Sequence, residues 1–161
     1  MFTGSSVSNL PKPEVYREIA SQLRGLIADE PDPVANMANC AAIIFNSVPG
    51  LNWAGFYLLK GGELVLGPFQ GKPACVRIPF GHGVCGTAAQ NRTLLCVPDV
   101  NAFDDHIACD SDSRSEIVIP MLREDTSLIG VLDVDSPQLG HFDAEDEAGL
   151  REIAKLIGAK L

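Results

Sequence analysis

Five cysteines, Cys40, Cys75, Cys85, Cys96 and Cys109, are the residues of this sequence best able to do covalent chemistry. Their number is odd, they are widely spaced, and no two form a CxxC pair, so neither a zinc knuckle nor a thioredoxin-type motif is spelled out. In a reducing compartment such thiols are buried fillers, ligands or redox-active groups. Cys109 follows His106 at the third position and precedes Asp110. The His-x-x-Cys spacing is half a metal site, but no other ligand falls in register, and no metal is expected. A carboxylate at 110 opposes thiolate formation at Cys109, so the local sequence alone does not mark it as an activated nucleophile. Cys85 falls near the start of a short helix, where the macrodipole favours a thiolate. Cys75 precedes a strand.

Carboxylates supply the second element. In the apolar run Leu128 to Asp135, side chains two apart share a face. Leu128, Gly130, Leu132 and Val134 form a core face; Ile129, Val131, Asp133 and Asp135 form the other. Two acids roughly 7 Å apart on a central strand differ from a solvated strand end. Enclosed together, they repel each other and lose hydration, which raises at least one pKa and leaves a protonated carboxyl near neutrality. Glu116, at the start of the adjoining strand, is placed to join them. On an earlier strand Trp53, Gly55 and Tyr57 share a face. Core packing is the plainer role for such a pair. The functional one is an aromatic wall for the apolar or cationic end of a small ligand, with Gly55 leaving room between the rings.

The elements that hold these residues follow from periodicity. After Pro11 and Pro13 a helical stripe runs through Val15, Ile19, Leu23 and Leu26. Asp32-Pro33, an N-cap followed by Pro at the first helical position, opens a second helix with the stripe Val34, Met37, Ala38, Ala41, Ile44, Phe45 and Val48, and Cys40 beside it as core filler. Leu51 to Leu59 alternates, Gly61-Gly62 turns, and Glu63 to Leu66 returns as a hairpin strand. Cys75 to Ile78 is a further short strand. Gly81 to Gln90 is a glycine turn running into a short helix, and Thr93 to Val97 is extended. A polar loop from Asp99 to Arg114 is long for a compact domain, and long loops tend to be functional. Strands Glu116 to Leu122 and Leu128 to Ser136 precede a closing helix from about Asp143, with the stripe Leu150, Ile153, Ala154, Ile157 and Leu161. The fold class is α+β: a central antiparallel sheet flanked by helices.

The 161 residues fit one domain, with Met1 to Leu10, rich in Ser and Gly, as a flexible start and residues 11–161 as the domain proper. A net charge of −9, from 21 acidic and 12 basic residues without a basic cluster, disfavours nucleic acid and anionic membranes as partners. The start lacks a basic n-region and an apolar h-region, and the apolar run Cys40 to Phe45 is far too short to span a bilayer, so a cytoplasmic location is expected.

Three stretches, Gly67 to Ala88 (GPFQGKPACVRIPFGHGVCGTA), Asp104 to Pro120 (DDHIACDSDSRSEIVIP) and Gly130 to Ser136 (GVLDVDS), together with NWAGFYLL from Asn52 to Leu59, closely resemble the free methionine-(R)-sulfoxide reductases. These are single-domain enzymes of the GAF fold. The resemblance covers about Pro31 to the C-terminus. It implies that Cys109 is the nucleophile that attacks the sulfoxide sulfur, that Cys75 is the resolving thiol, and that Cys85 is an alternative disulfide partner or relay. It further implies that Glu116, Asp133 and Asp135 bind and polarise the substrate and that Trp53 and Tyr57 form its aromatic wall. Cys40 and Cys96 lie outside the matched cysteine motifs and are left as fillers. The implied cycle uses no cofactor. A sulfenic acid at Cys109 condenses with a second thiol to a disulfide, which an external dithiol such as thioredoxin reduces. In that state the Cα atoms of Cys75 and Cys109, 34 positions apart, must lie within about 7 Å. A homodimer is left open. The competing readings are a non-catalytic GAF sensor for a small ligand and a peroxide-reactive thiol protein.

Overall fold

A computed structural model describes residues 9–107 and 109–161. The expected flexible start therefore lies, over Met1–Ser8, outside the described residues. The chain forms α1 (Lys12–Ile27), α2 (Pro33–Ser47), β1 (Trp53–Lys60), β2 (Glu63–Gly71), β3 (Arg77–Pro79), α3 (Gly83–Asn91), β4 (Leu95–Val97), β5 (Ser115–Leu122), β6 (Leu128–Ser136) and α4 (Ala144–Gly158). A 3-10 turn at Val100–Ala102 interrupts the long loop. Among these elements, no helix is long and apolar enough to cross a membrane.

All neighbouring strands pair antiparallel, in the order β3-β2-β1-β6-β5-β4. Two three-stranded meanders are thus joined where β1 meets β6 in the middle of the sheet. Strand alternation sorts side chains onto two faces. Ala54, Phe56, Ile117, Ile119, Leu132 and Val134 pack against α1, α2 and α4. On the opposite face Trp53, Tyr57, Val118 and Val131 pack with Val84, Cys85, Ala88 and Ala89 of α3. Each large apolar side chain buried this way contributes about 1.5–3 kcal/mol. The alternation slips at one end of β6. Leu128 joins the α3 side and Ile129 the helical side, because the β5–β6 register shifts between Met121 and Leu122.

Local signals set the helix ends. The Asp32 side chain accepts the Ala35 N–H at 2.9 Å, as an N-cap should. Asp143 and Asp146 form a reciprocal capping box on α4. Asp146 also receives the Tyr16 hydroxyl at 2.8 Å and an ion pair from Lys12, which ties α4 to α1. The apolar stripe of α2 is rotated from the expected one: Val34 and Ala38 are exposed, while Asn36, Cys40 and Ile43 are inside. Asn36 tolerates burial because its amide donates to the Glu30 carbonyl at 3.1 Å. The second strand runs on to Gly71 instead of stopping at Leu66. Gly67 and Pro68 look like a break, yet they sit at a bulge opposite Phe56, where a strand Pro is tolerated.

Candidate active site

Register brings the acids together. On the α3 side of the sheet Glu116 of β5 stands directly opposite Asp135 of β6, and Asp133 lies two residues along. On the other flank of β6, Trp53 pairs with Asp135 and Gly55 with Asp133. From above, α3 lowers Cys85 onto the carboxyls. Its thiol lies 3.7 Å from Glu116 Oε1, and one ligand-type atom each of Cys85, Glu116 and Asp133 fall within 4.8 Å of one another. Cys85, Glu116 and Asp133 are all buried, and Asp135 is half-buried.

Three carboxyls in so small a volume cannot all ionise. Burial raises the Asp133 pKa to about 7, against opposing contributions from the Cys85 thiol, Glu116 and the Val134 N–H. Burial, with the charges of Asp133 and Asp135, holds Glu116 well above the ordinary carboxylate range. Asp135 is raised by burial and by Asp133 and Asp110. At neutral pH the cluster therefore retains protons and behaves as a coupled acid. One oxygen, Asp133 Oδ1, is buried without a hydrogen-bond partner among the described residues.

Cys75 and Cys109 are joined in a disulfide, with Cα atoms 5.3 Å apart. The bridge connects the β2–β3 segment to the long loop and lies over the acids. Further contacts hold the two segments to each other and to the β1 end of the sheet. Lys72 pairs with Asp112 and, at 3.6 Å, with Asp110. The amide of Asn52 donates to Asp110 Oδ2 at 3.2 Å and to Ser113 Oγ at 3.0 Å. The Tyr57 hydroxyl donates to the Cys75 carbonyl at 2.9 Å. Beneath this lid is a small cavity of about 30 Å³, lined on one side by Glu116, Asp133, Asp135 and Cys85 and on the other by Cys109, His106, Ile107 and Tyr57. Burial lowers the pKa of His106, so its ring is neutral at pH 7.

Glu116, Asp133, Asp135, Cys85, Cys109 and Tyr57 thus meet around one cavity. Trp53 and Cys75 do not line it. The Trp53 ring lies behind Tyr57, stacked between it and Phe69 at centroid distances of 5.9 and 5.3 Å, with Nε1 donating to the Lys72 carbonyl at 3.1 Å. Gly55 makes that stack possible. A Cβ there would lie 2.6 Å from Trp53 Cη2 and 2.4 Å from Phe69 Cβ.

Cys85 corrects the expectation of a helix-start thiolate. It sits at the start of α3, but burial and the adjacent Asp133 and Glu116 push its pKa well up, so the thiol keeps its proton. Loss of hydration outweighs a helix dipole that acts most strongly on exposed groups. Cys85, Glu116 and Asp133 are close enough to share a divalent cation, although each would first have to lose the proton that burial makes it keep. Cys40 is fully buried, and Cys96 is half-buried with its sulfur 3.8 Å from the Phe142 carbonyl. Sequence reasoning passed over Asn52, Lys72 and Ser113, whose side-chain contacts span 38 to 61 positions. Their only signal was membership of the segments next to the cysteines and the aromatic strand.

A family model described as GAF domain matches residues 26–161. The chain is 49% identical to the free methionine-R-sulfoxide reductase of Escherichia coli, over 88% of this chain and 86% of the relative. It is 43% identical to the free methionine-R-sulfoxide reductase of Saccharomyces cerevisiae, over 93% and 87% respectively. Among solved structures, free methionine-R-sulfoxide reductase from Neisseria meningitidis in complex with its substrate superposes with a TM-score of 0.90 at 50% identity, covering 95% of this chain and 92% of that one.

Proposed function

Because this chain belongs to the GAF-domain family and, within it, to the free methionine-(R)-sulfoxide reductases, we propose that its lid sulfur and its buried acids act on a single sulfoxide held between them. The activity is reduction of free methionine-(R)-sulfoxide to methionine by a thiol–disulfide route. The observation that carries the assignment of roles is the Cys75–Cys109 bridge lying over a proton-bearing carboxyl cluster.

A sulfoxide oxygen leaves poorly until it is protonated. The Glu116–Asp133–Asp135 cluster holds its protons at neutral pH and supplies one, with the Cys85 thiol as a further buried proton carrier. The Cys109 sulfur attacks the substrate sulfur, methionine departs, and the oxygen remains on Cys109 as a sulfenic acid. The Cys75 thiol then attacks Cys109 Sγ, water leaves, and the observed disulfide forms. Each turnover consumes two electrons, which an external dithiol such as thioredoxin returns by exchange; the chain itself carries no cofactor in this cycle. The unpartnered Asp133 Oδ1 is a natural acceptor for the substrate ammonium, and the Tyr57 ring, backed by Trp53, flanks the substrate's apolar part. In the bridged state the cavity, at about 30 Å³, holds no more than a water, so the lid must open to admit the substrate; a site that closes over its substrate in this way suits a free amino acid better than a peptide.

The test uses separated R and S sulfoxides of free methionine with dithiothreitol as reductant. Wild type should turn over the R form alone, and Cys109→Ser should abolish turnover. Cys75→Ser should complete one reduction and then recycle poorly. Full activity in Cys109→Ser, or a methionine-sulfoxide peptide reduced as fast as the amino acid, refutes these roles.

A further inference from the structure

The bridge presents its two sulfurs unequally. Cys109 lines the cavity, whereas Cys75 does not and belongs to the segment at the outer edge of the sheet, just before the edge strand β3. That segment is anchored from within through its carbonyls. The Lys72 carbonyl accepts from Trp53 Nε1, that of Cys75 from the Tyr57 hydroxyl, and that of Val76 from the Leu66 N–H at 3.0 Å. Ala74 and Cys75 are half-buried against the α3-side core, while Pro73 just before them is exposed and Val76 just after is 64% exposed. Scattered apolar residues on a surface need no explanation. Here, however, they flank a bond that must be opened by an external donor in every turnover. The neighbouring cations are already engaged, Arg77 with Glu63 and Lys72 with Asp110 and Asp112.

Resting on the thiol–disulfide cycle proposed above, we propose that the apolar edge at Pro73 and Val76 is the docking surface for a protein dithiol reductant, which attacks Cys75. An attacking thiolate approaches along the S–S axis. Because Cys109 faces the cavity, a donor arriving from outside it meets Cys75, with Cys109 as the leaving sulfur. The donor thiolate bonds to Cys75 Sγ, the Cys75–Cys109 bond breaks, and Cys109 departs as a thiolate that takes up a proton. The donor's second thiol then attacks the mixed disulfide, releasing the Cys75 thiol and leaving the donor oxidised. Two electrons move from donor to enzyme, and the attacking cysteine of the next turnover is freed first. Because contact is through apolar side chains, the donor's KM should vary little with ionic strength.

The experiment compares thioredoxin with dithiothreitol as electron donor for wild type, Val76→Glu and Val76→Ser. A small dithiol needs no docking surface, so dithiothreitol-driven rates should stay within about twofold. With thioredoxin, KM should rise about tenfold in Val76→Glu and less in Val76→Ser. In parallel, oxidised wild type is mixed with a thioredoxin whose second active-site cysteine is serine and quenched with N-ethylmaleimide. The mixed disulfide should map to the tryptic peptide of residues 61–77, which carries Cys75, and not to residues 93–114. A conjugate on Cys109, or an unchanged thioredoxin KM in Val76→Glu, overturns the docking surface while leaving the cycle standing. Normal turnover of wild type with dithiothreitol but none with thioredoxin overturns both the surface and the thioredoxin-type donor.

Discussion

Replacing Asp133 by asparagine should make the protein more stable at neutral and alkaline pH while lowering its activity. Asp133 is buried, and burial raises its carboxyl from 3.8 to about 7. Between those values the folded state keeps a proton that the unfolded chain has already released. The group therefore opposes folding increasingly as pH rises from about 4, and the effect is complete just above pH 7. A span of some three pH units, at about 1.4 kcal/mol each, sets an upper bound of about 4 kcal/mol. Coupling to Glu116 and Asp135, which share the same protons, brings the expected gain to about 2–3 kcal/mol. Asparagine has nearly the same shape and does not titrate, and its amide can donate to Glu116. Urea unfolding of the oxidised proteins at pH 4.5, 6, 7 and 8.5 measures the gap. Wild type and Asp133→Asn should nearly coincide at pH 4.5, diverge through pH 7 and run parallel above it. Sulfoxide reduction should fall by about 100-fold or more if the acid cluster delivers the proton. Curves that stay parallel from pH 4.5 to 8.5, or a gap that shrinks as pH rises, would refute the reasoning about burial.

Gly55→Ala should destabilise the fold by about 2–3 kcal/mol, read as a lower urea midpoint. The new methyl would lie within 3 Å of both Phe69 and Trp53, and strand spacing, not a flexible tip, would have to give. Lys72→Met should leave the first, stoichiometric reduction of sulfoxide intact and slow disulfide closure by roughly threefold, an effect that 0.5 M salt erases because the pairs are exposed. Rapid quenching with a thiol-reactive mass tag resolves the two steps.

The two faces of β1 and β6 were legible because alternation is a property of neighbouring residues. It placed Asp133 and Asp135 on one side of the sheet and Leu132 and Val134 on the other before any coordinates. Asp32-Pro33 likewise set the start of α2 from local chemistry alone. What stayed hidden depends on pairing at a distance. Glu116 could be put on the strand adjoining the acids, but that it stands opposite Asp135 and not Asp133 is set by the register alone, and the rotated stripe of α2 follows from which side the sheet offers. Cys85 shows the same limit from another angle. Its position along a helix can be read from sequence, but the two carboxyls beneath it come from strands more than thirty residues away and reverse the expected ionisation. Trp53 was grouped correctly with Tyr57, while its place behind that ring is decided by Phe69 and Lys72 across the bulged hairpin.

The pairing of β1 with β6 has a consequence for biosynthesis. The strand that carries Trp53, Gly55 and Tyr57 leaves the ribosome early, yet its partner, with Asp133 and Asp135, is not made until residue 136 has been added. Until then β1 is an apolar edge with one free side, and neither meander holds a complete set of acids and thiols. Such late, non-local closure slows folding and leaves an unpaired edge open to aggregation in the interval. A nascent chain stalled before β6 should therefore depend on chaperones in a way that the finished chain does not.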